Sequence, residues 1–161
     1  MIPAAAFNEV YIVPVLLKLR QADERLNSLA AARLLLGTAI MESRLTHLKQ
    51  QGGGPAQGFF QIEPATFHDT YRRYLTDRRP DIKRAVDAFA FAGLPLEAQL
   101  AGNTHLGCAI ARVKFWMAIP PLPDADDIDG LGRYWDDVYN CNPNVGTAAE
   151  WAALYRKHVK P

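Results

Sequence analysis

The chain has only two cysteines in 161 residues, Cys108 and Cys141. One pair does not make a disulfide framework, and neither cysteine stands at the spacing of a zinc site. Two free thiols fit a protein made and folded in a reducing cytoplasm. There is no charge excess either: 18 Lys and Arg against 17 Asp and Glu give a formal net charge of +1. That sets aside a nucleic-acid binder and a polybasic membrane-surface protein. Nor is there a long hydrophobic run. Tyr11-Ile12-Val13-Pro14-Val15-Leu16-Leu17 follows Asn8 and Glu9 with no basic residue before it, and Lys18 and Arg20 close it too soon for a membrane span. It lacks the form of an export signal and reads as a core helix with a proline near its start. His47, His68, His105 and His158 do not pair at ligand spacing. Asp124, Asp126, Asp127 and Asp129 miss the EF-hand pattern at Ile128 and Gly130. No metal and no cofactor is expected.

What is present reads as helix. Hydrophobic residues make up 49% of the chain and charged residues 22%, enough for one globular domain with one core. The expectation is a mainly α single domain over 1–161, with residues 1–21 as an N-terminal helical extension. Ala22 to Gln50 carries strong helix formers, including Leu26, Leu34, Leu35, Leu36 and Ile40. Gln51-Gly52-Gly53-Gly54-Pro55 breaks the pattern, and a short β-hairpin near 52–62 can follow. Pro64 and Pro80 open two further helices, the first bearing Phe67, Tyr71 and Tyr74, the second reaching Gly93. Leu96 to Met117 reads as one long buried helix, ended by Pro120-Pro121-Leu122-Pro123. A short acidic helix spans about Asp126 to Tyr139, and a turn follows at Asn140 to Gly146. Thr147 and Glu150 form a capping box for the last helix.

The chemistry concentrates between Leu34 and Ile62. Glu42 follows a helix that is apolar nearly all round, and helical spacing puts it on the face of Leu35, Thr38 and Ala39. Burial there raises a carboxyl pKa, and the negative end of a helix stopping soon after Ser43 acts the same way. A carboxyl group protonated near neutral pH is what a general acid for glycosidic cleavage needs. Downstream stands Gly58-Phe59-Phe60-Gln61-Ile62. Its aromatics can stack on sugar rings and its amide can read hydroxyl or N-acetyl groups. The alternative, in which Phe59, Phe60 and Ile62 are core, applies to at least one phenylalanine. Tyr139-Asn140 ends a helix and can aim a phenol and an amide at one point, or simply cap the helix. Trp135, one turn earlier, can edge the same cleft, whereas Trp116 and Trp151 read as core.

Glu42-Ser43, then Gly58-Phe59-Phe60-Gln61-Ile62, then Tyr139-Asn140, in this order, resemble the motifs of soluble lytic transglycosylases and goose-type lysozymes. The likeness runs over 34–146. It departs from the family pattern at Cys141-Asn142-Pro143-Asn144, and nothing in 62–134 aligns with a motif. The whole looks most like small proteins of this type carried by bacteriophages. The resemblance implies a lysozyme-like fold that degrades the bacterial cell wall, with peptidoglycan glycan strands as substrate. It implies Glu42 as catalytic acid/base, Ser43 as its support, and Phe60, Gln61, Tyr139 and Asn140 along the substrate cleft. Hydrolases pair two carboxyl groups roughly 5–9.5 Å apart. Of Glu63, Asp69, Asp136 and Asp137, none sits in a matching motif, which favours a lyase reaction over lysozyme-type glycosidase hydrolysis. With no export signal read, the implied protein is made in the host cytoplasm and reaches the periplasm inside the virion, with other virion proteins as neighbours. An endolysin, a non-catalytic virion component and a helical regulator unrelated to cell walls are the competing readings.

Overall fold

The computed structural model describes residues 1–140 and 146–159. The protein is mainly helical. Helix α1 covers residues 4–19 as three continuous segments: Ala4–Phe7, a π-helical Asn8–Ile12, and Val13–Leu19. Pro14 explains the wider turn. It has no N–H to donate and its ring crowds the carbonyl four residues back, and a π-bulge is one way a helix absorbs both. This helix belongs to the main core: Phe7, Ile12, Val15 and Leu19 have no exposed surface. Its start is tied down by Ile2 N–H donating to Leu45 O at 3.0 Å.

Helix α2, Leu29–Ser43, is the axis of the fold. The sequence pattern over 22–50 breaks earlier than its apolar content suggests. Asp23 caps a single 3₁₀ turn, Glu24–Leu26, and Ser28 then caps α2 by accepting from Ala31 N–H at 3.1 Å. The helix contacts α1 and three later helices. It is therefore apolar nearly all round, and Thr38 and Ser43 satisfy their hydroxyls inside it, on Leu34 O and Ala39 O. A Cβ added to Gly37 would lie 2.0 Å from the Trp151 ring, so only glycine lets that indole cross the axis.

Helix α3 covers 64–78 as Pro64–Phe67, a π-helical His68–Leu75, and Thr76–Arg78; α4 is Pro80–Asp87. Both begin on the expected prolines, but α4 stops short of Gly93. The long helix expected over 96–117 is two: a turn, Leu96–Gln99, and α5, Thr104–Trp116. Asn103 separates them, its side chain accepting from Leu106 N–H at 3.0 Å. Helix α6 is Ile128–Val138, capped by Asp127, and α7 is Ala148–His158, capped by Thr147, whose hydroxyl accepts from Glu150 N–H. The turn expected at Asn140 to Gly146 falls largely on 141–145, outside the described residues, and Cys141 with it. Cys108 is wholly buried, which pushes its thiol well above the usual range.

One cation is buried with these helices. Arg112 on α5 is 2% exposed. Its guanidinium donates to Leu26 O at 2.8 Å and Arg25 O at 3.3 Å, and lies over the Trp116 ring. Burial lowers its pKa to about 10, so it stays charged at neutral pH, bonded to backbone carbonyls.

Among the described residues the region 52–62 forms no strand. It closes through two isolated antiparallel bridges, Lys49 with Gln57 and Gln57 with Ile62. Gly58 (φ 73°) and Gln61 (φ 44°) turn the backbone left-handed, so a regular ladder cannot continue. Gly58 is also pressed against the chain, where a Cβ would stand 2.4 Å from Leu100 O. Also among the described residues, no helix is long and apolar enough to cross a membrane.

Candidate active site

The end of α2 opens into a cleft of about 470 Å³, within the usual size range of ligand sites. The helix stops at Ser43 because Arg44 (φ 53°) and Leu45 (φ 50°) both adopt left-handed conformations. Leu45 drops into the core, and the chain turns away to form the far wall from Arg44 to Glu63. Lys114 of α5 and Trp135, Tyr139 and Asn140 at the end of α6 form the near wall.

Glu42 is half-buried in the last turn of α2 and lines this cleft. Burial raises its pKa to about 7. Trp135 and the positive charge of Lys114 pull it down, and the charge of Glu63 adds to the rise. Trp135 Nε1–H donates to Glu42 Oε1 at 3.2 Å. The carboxyl group is thus held in place, exchanges its proton near neutrality, and faces open volume. Those are the requirements of a general acid/base.

The other expected residues fall into two groups. Gln61, Tyr139 and Asn140 line the cleft with Glu42. Gln61 Nε2 donates to Gly58 O at 2.8 Å, and among the described residues nothing donates to its Oε1, which stays available as an acceptor. The Tyr139 hydroxyl is not aimed at the cleft: it donates to Phe60 O at 2.7 Å and pins one wall to the other. Its ring stacks on Phe115, 5.0 Å away, with Lys114 Nζ at 4.2 Å from its own centroid. Asn140 Nδ2 donates to Asp136 Oδ1 and Gly146 O, tying the end of α6 to the chain just before α7.

Ser43 and Phe60 do not bring their side chains to the cleft. Ser43 borders it, but its hydroxyl is buried on Ala39 O. Phe60 is 1% exposed and packs beside Phe7, while Phe59 meets Phe7 edge-on at 5.3 Å. The reason is the backbone. The left-handed residue at Gln61 sends the amide to the cleft and leaves both phenyl rings in the core, where their apolar area is removed from water. What Phe60 contributes to the site is its carbonyl, the acceptor for Tyr139.

Sequence reasoning missed Lys114 and the rim residues Arg44, His47 and Lys49, and named Glu63 only as an unmatched carboxylate. All of them line the cleft. For Lys114 a signal existed: a lysine two residues after an arginine in an otherwise apolar helix. Among the described residues, no three His, Cys, Asp or Glu side chains converge to hold a metal ion. No protein-family model, curated protein or solved structure matches the chain.

Proposed function

We propose that the protein cleaves the β-1,4 bond between N-acetylmuramic acid and N-acetylglucosamine in peptidoglycan, with Glu42 as acid and then base. The observation that carries this is the placement of Glu42: a half-buried carboxyl with a pKa near 7, held by one indole donor and facing a cleft lined by amides. Protonated Glu42 donates to the glycosidic oxygen as the bond breaks. The substrate's own N-acetyl oxygen stabilises the developing positive charge at the sugar. Glu42, now a carboxylate, is supported by Trp135 N–H and by the charge of Lys114, and takes a proton from the muramic C6 hydroxyl. That closes a 1,6-anhydro ring and makes the enzyme a lytic transglycosylase, with no cofactor. Gln61 Oε1 is the acceptor for a sugar N–H or hydroxyl.

Glu63 supports a second reading of the same site. It lines the cleft, so a second carboxylate is at hand for a water-activating role and for hydrolysis. Mass spectrometry of digested, purified peptidoglycan separates the two. Products carrying anhydro ends, one water lighter, are the expected result; reducing ends alone make the protein a lysozyme, and an intact substrate rejects both. A bacteriophage particle is the proposed carrier, tested by looking for the chain in purified virions.

A further inference from the structure

We propose that Arg44, His47 and Lys49 form a carboxylate-recognising subsite on the rim of the Glu42 cleft, selecting glycan strands that carry acidic substituents. This rests on reading the cleft as a glycan site.

The three residues lie on one short segment, and all three line the cleft. Backbone hydrogen bonds fix that segment. Thr46 and His47 N–H both donate to Ser43 O, Gly58 N–H donates to Leu48 O at 2.8 Å, and Lys49 bridges Gln57. The rim is therefore preorganised and not a free loop tip. His47 is held further by its ring nitrogen Nε2, 2.8 Å from Gln51 Nε2.

The cations of this rim differ from many others in the chain. Arg25, Arg33, Arg72, Arg79 and Arg156 each hold a carboxylate of the protein. Among the described residues neither Arg44 nor Lys49 does. The acids of the cleft do not neutralise them. Glu42 carries about half a charge at pH 7 and less below it, and Glu63 is the other acid set against Arg44 and Lys49. A chain of net charge +1 thus gathers fixed positive charge on the rim of this cleft. Concave walls of low polarisability focus such a field on an anion.

The position matters as much as the sign. Arg44 is two residues past Glu42 and both line the cleft, so an anion on this rim would share the cavity with the bond that Glu42 is proposed to cut. Arg44 offers a fork of donors that suits a carboxylate, and Lys49 a point charge. N-acetylmuramic acid carries such a group on its lactyl ether, either as the free acid or as a peptide stem with its own carboxylates. Chitin-type strands carry none.

The test uses the full chain with Glu42→Gln, which keeps ligands intact, and calorimetric titration with three probes. These are a neutral N-acetylglucosamine tetrasaccharide, a stem-free tetrasaccharide alternating N-acetylglucosamine and N-acetylmuramic acid, and the same tetrasaccharide bearing peptide stems. The acidic probes are expected to bind about tenfold more tightly than the neutral one at low salt, with the gap closing at high salt. Adding Arg44→Gln and Lys49→Gln should erase the gap while leaving neutral-probe affinity unchanged. Preference for the stem-free probe identifies the lactyl carboxylate as the ligand; preference confined to the stemmed probe identifies the peptide. Equal binding of neutral and acidic probes, or a preference that survives the double substitution, overturns the subsite and leaves the glycan reading standing. Failure of all three to bind overturns both.

Discussion

Arg112 and Glu42 each place an ionisable group among apolar helices, but the surroundings they meet differ. Arg112 is sealed. Two backbone carbonyls accept from it and an indole covers its face, so the charge has partners and no access to water. Among the described residues Glu42 has one protein donor, Trp135, and an open cleft on its other side. Burial shifts both pKa values, yet only for Glu42 does the shift land near neutral pH, because a carboxyl starts below that range and an arginine far above it. Depth of burial alone does not mark a working group. An incomplete set of partners, facing open volume, does.

Substituting each residue should separate activity from stability. Glu42→Gln is expected to lower peptidoglycan clearance by about 10²–10⁴-fold, the usual contribution of a general acid/base, with the fold retained. A turbidity assay beside a melting curve checks this; clearance at the wild-type rate removes Glu42 from the mechanism. Arg112→Ala should do the reverse. It opens a cavity and leaves the Leu26 and Arg25 carbonyls without their donor, for a loss of about 3–5 kcal/mol in denaturant unfolding, while the activity per folded molecule stays the same.

Changing pH sharpens the contrast without new atoms. Glu42 has a folded pKa near 7 against an ordinary value of 4.5. Between those values the folded state binds more protons than the unfolded one. The contribution to stability is full below about pH 4.5 and is lost as pH rises through 7, at most about 3 kcal/mol. Wild type should therefore lose stability over this window relative to Glu42→Gln, and cleavage should fall on the same alkaline limb. Parallel stability curves for the two proteins would show that the carboxyl is solvated. The smallest effect belongs to Tyr139→Phe. It removes the bond to Phe60 O, so unfolding should show a loss of about 1 kcal/mol. A binding defect with no stability change would mean that the hydroxyl faces the ligand instead.

Much of this was legible in the chain. The prolines at 64 and 80 and the Thr147–Glu150 cap announced their helices, because each acts through its own backbone. Glu42 stood out as an acid at the end of an apolar stripe. The break at Asn103 was harder to read: apolar residues continue on both sides, and only the cap geometry shows that the helix restarts. Which of Phe60 and Gln61 faces the cleft depends on one left-handed residue that no periodicity reveals. Lys49 and Lys114 join Glu42 in the cleft only when the chain folds, so their spacing along the chain carried no sign of it, whereas Arg44 is close to Glu42 in the sequence itself.

The bond from Tyr139 to Phe60 has a kinetic consequence. Widening the cleft by separating its walls would leave a buried carbonyl without a donor, at a cost of about 1–3 kcal/mol. Open forms are therefore a minority, and a ligand such as the proposed glycan strand would meet the slot mostly at its resting width. Association with the resting form would be paced by diffusion and charge, so the on-rate should respond to ionic strength more than to anything that loosens the loop.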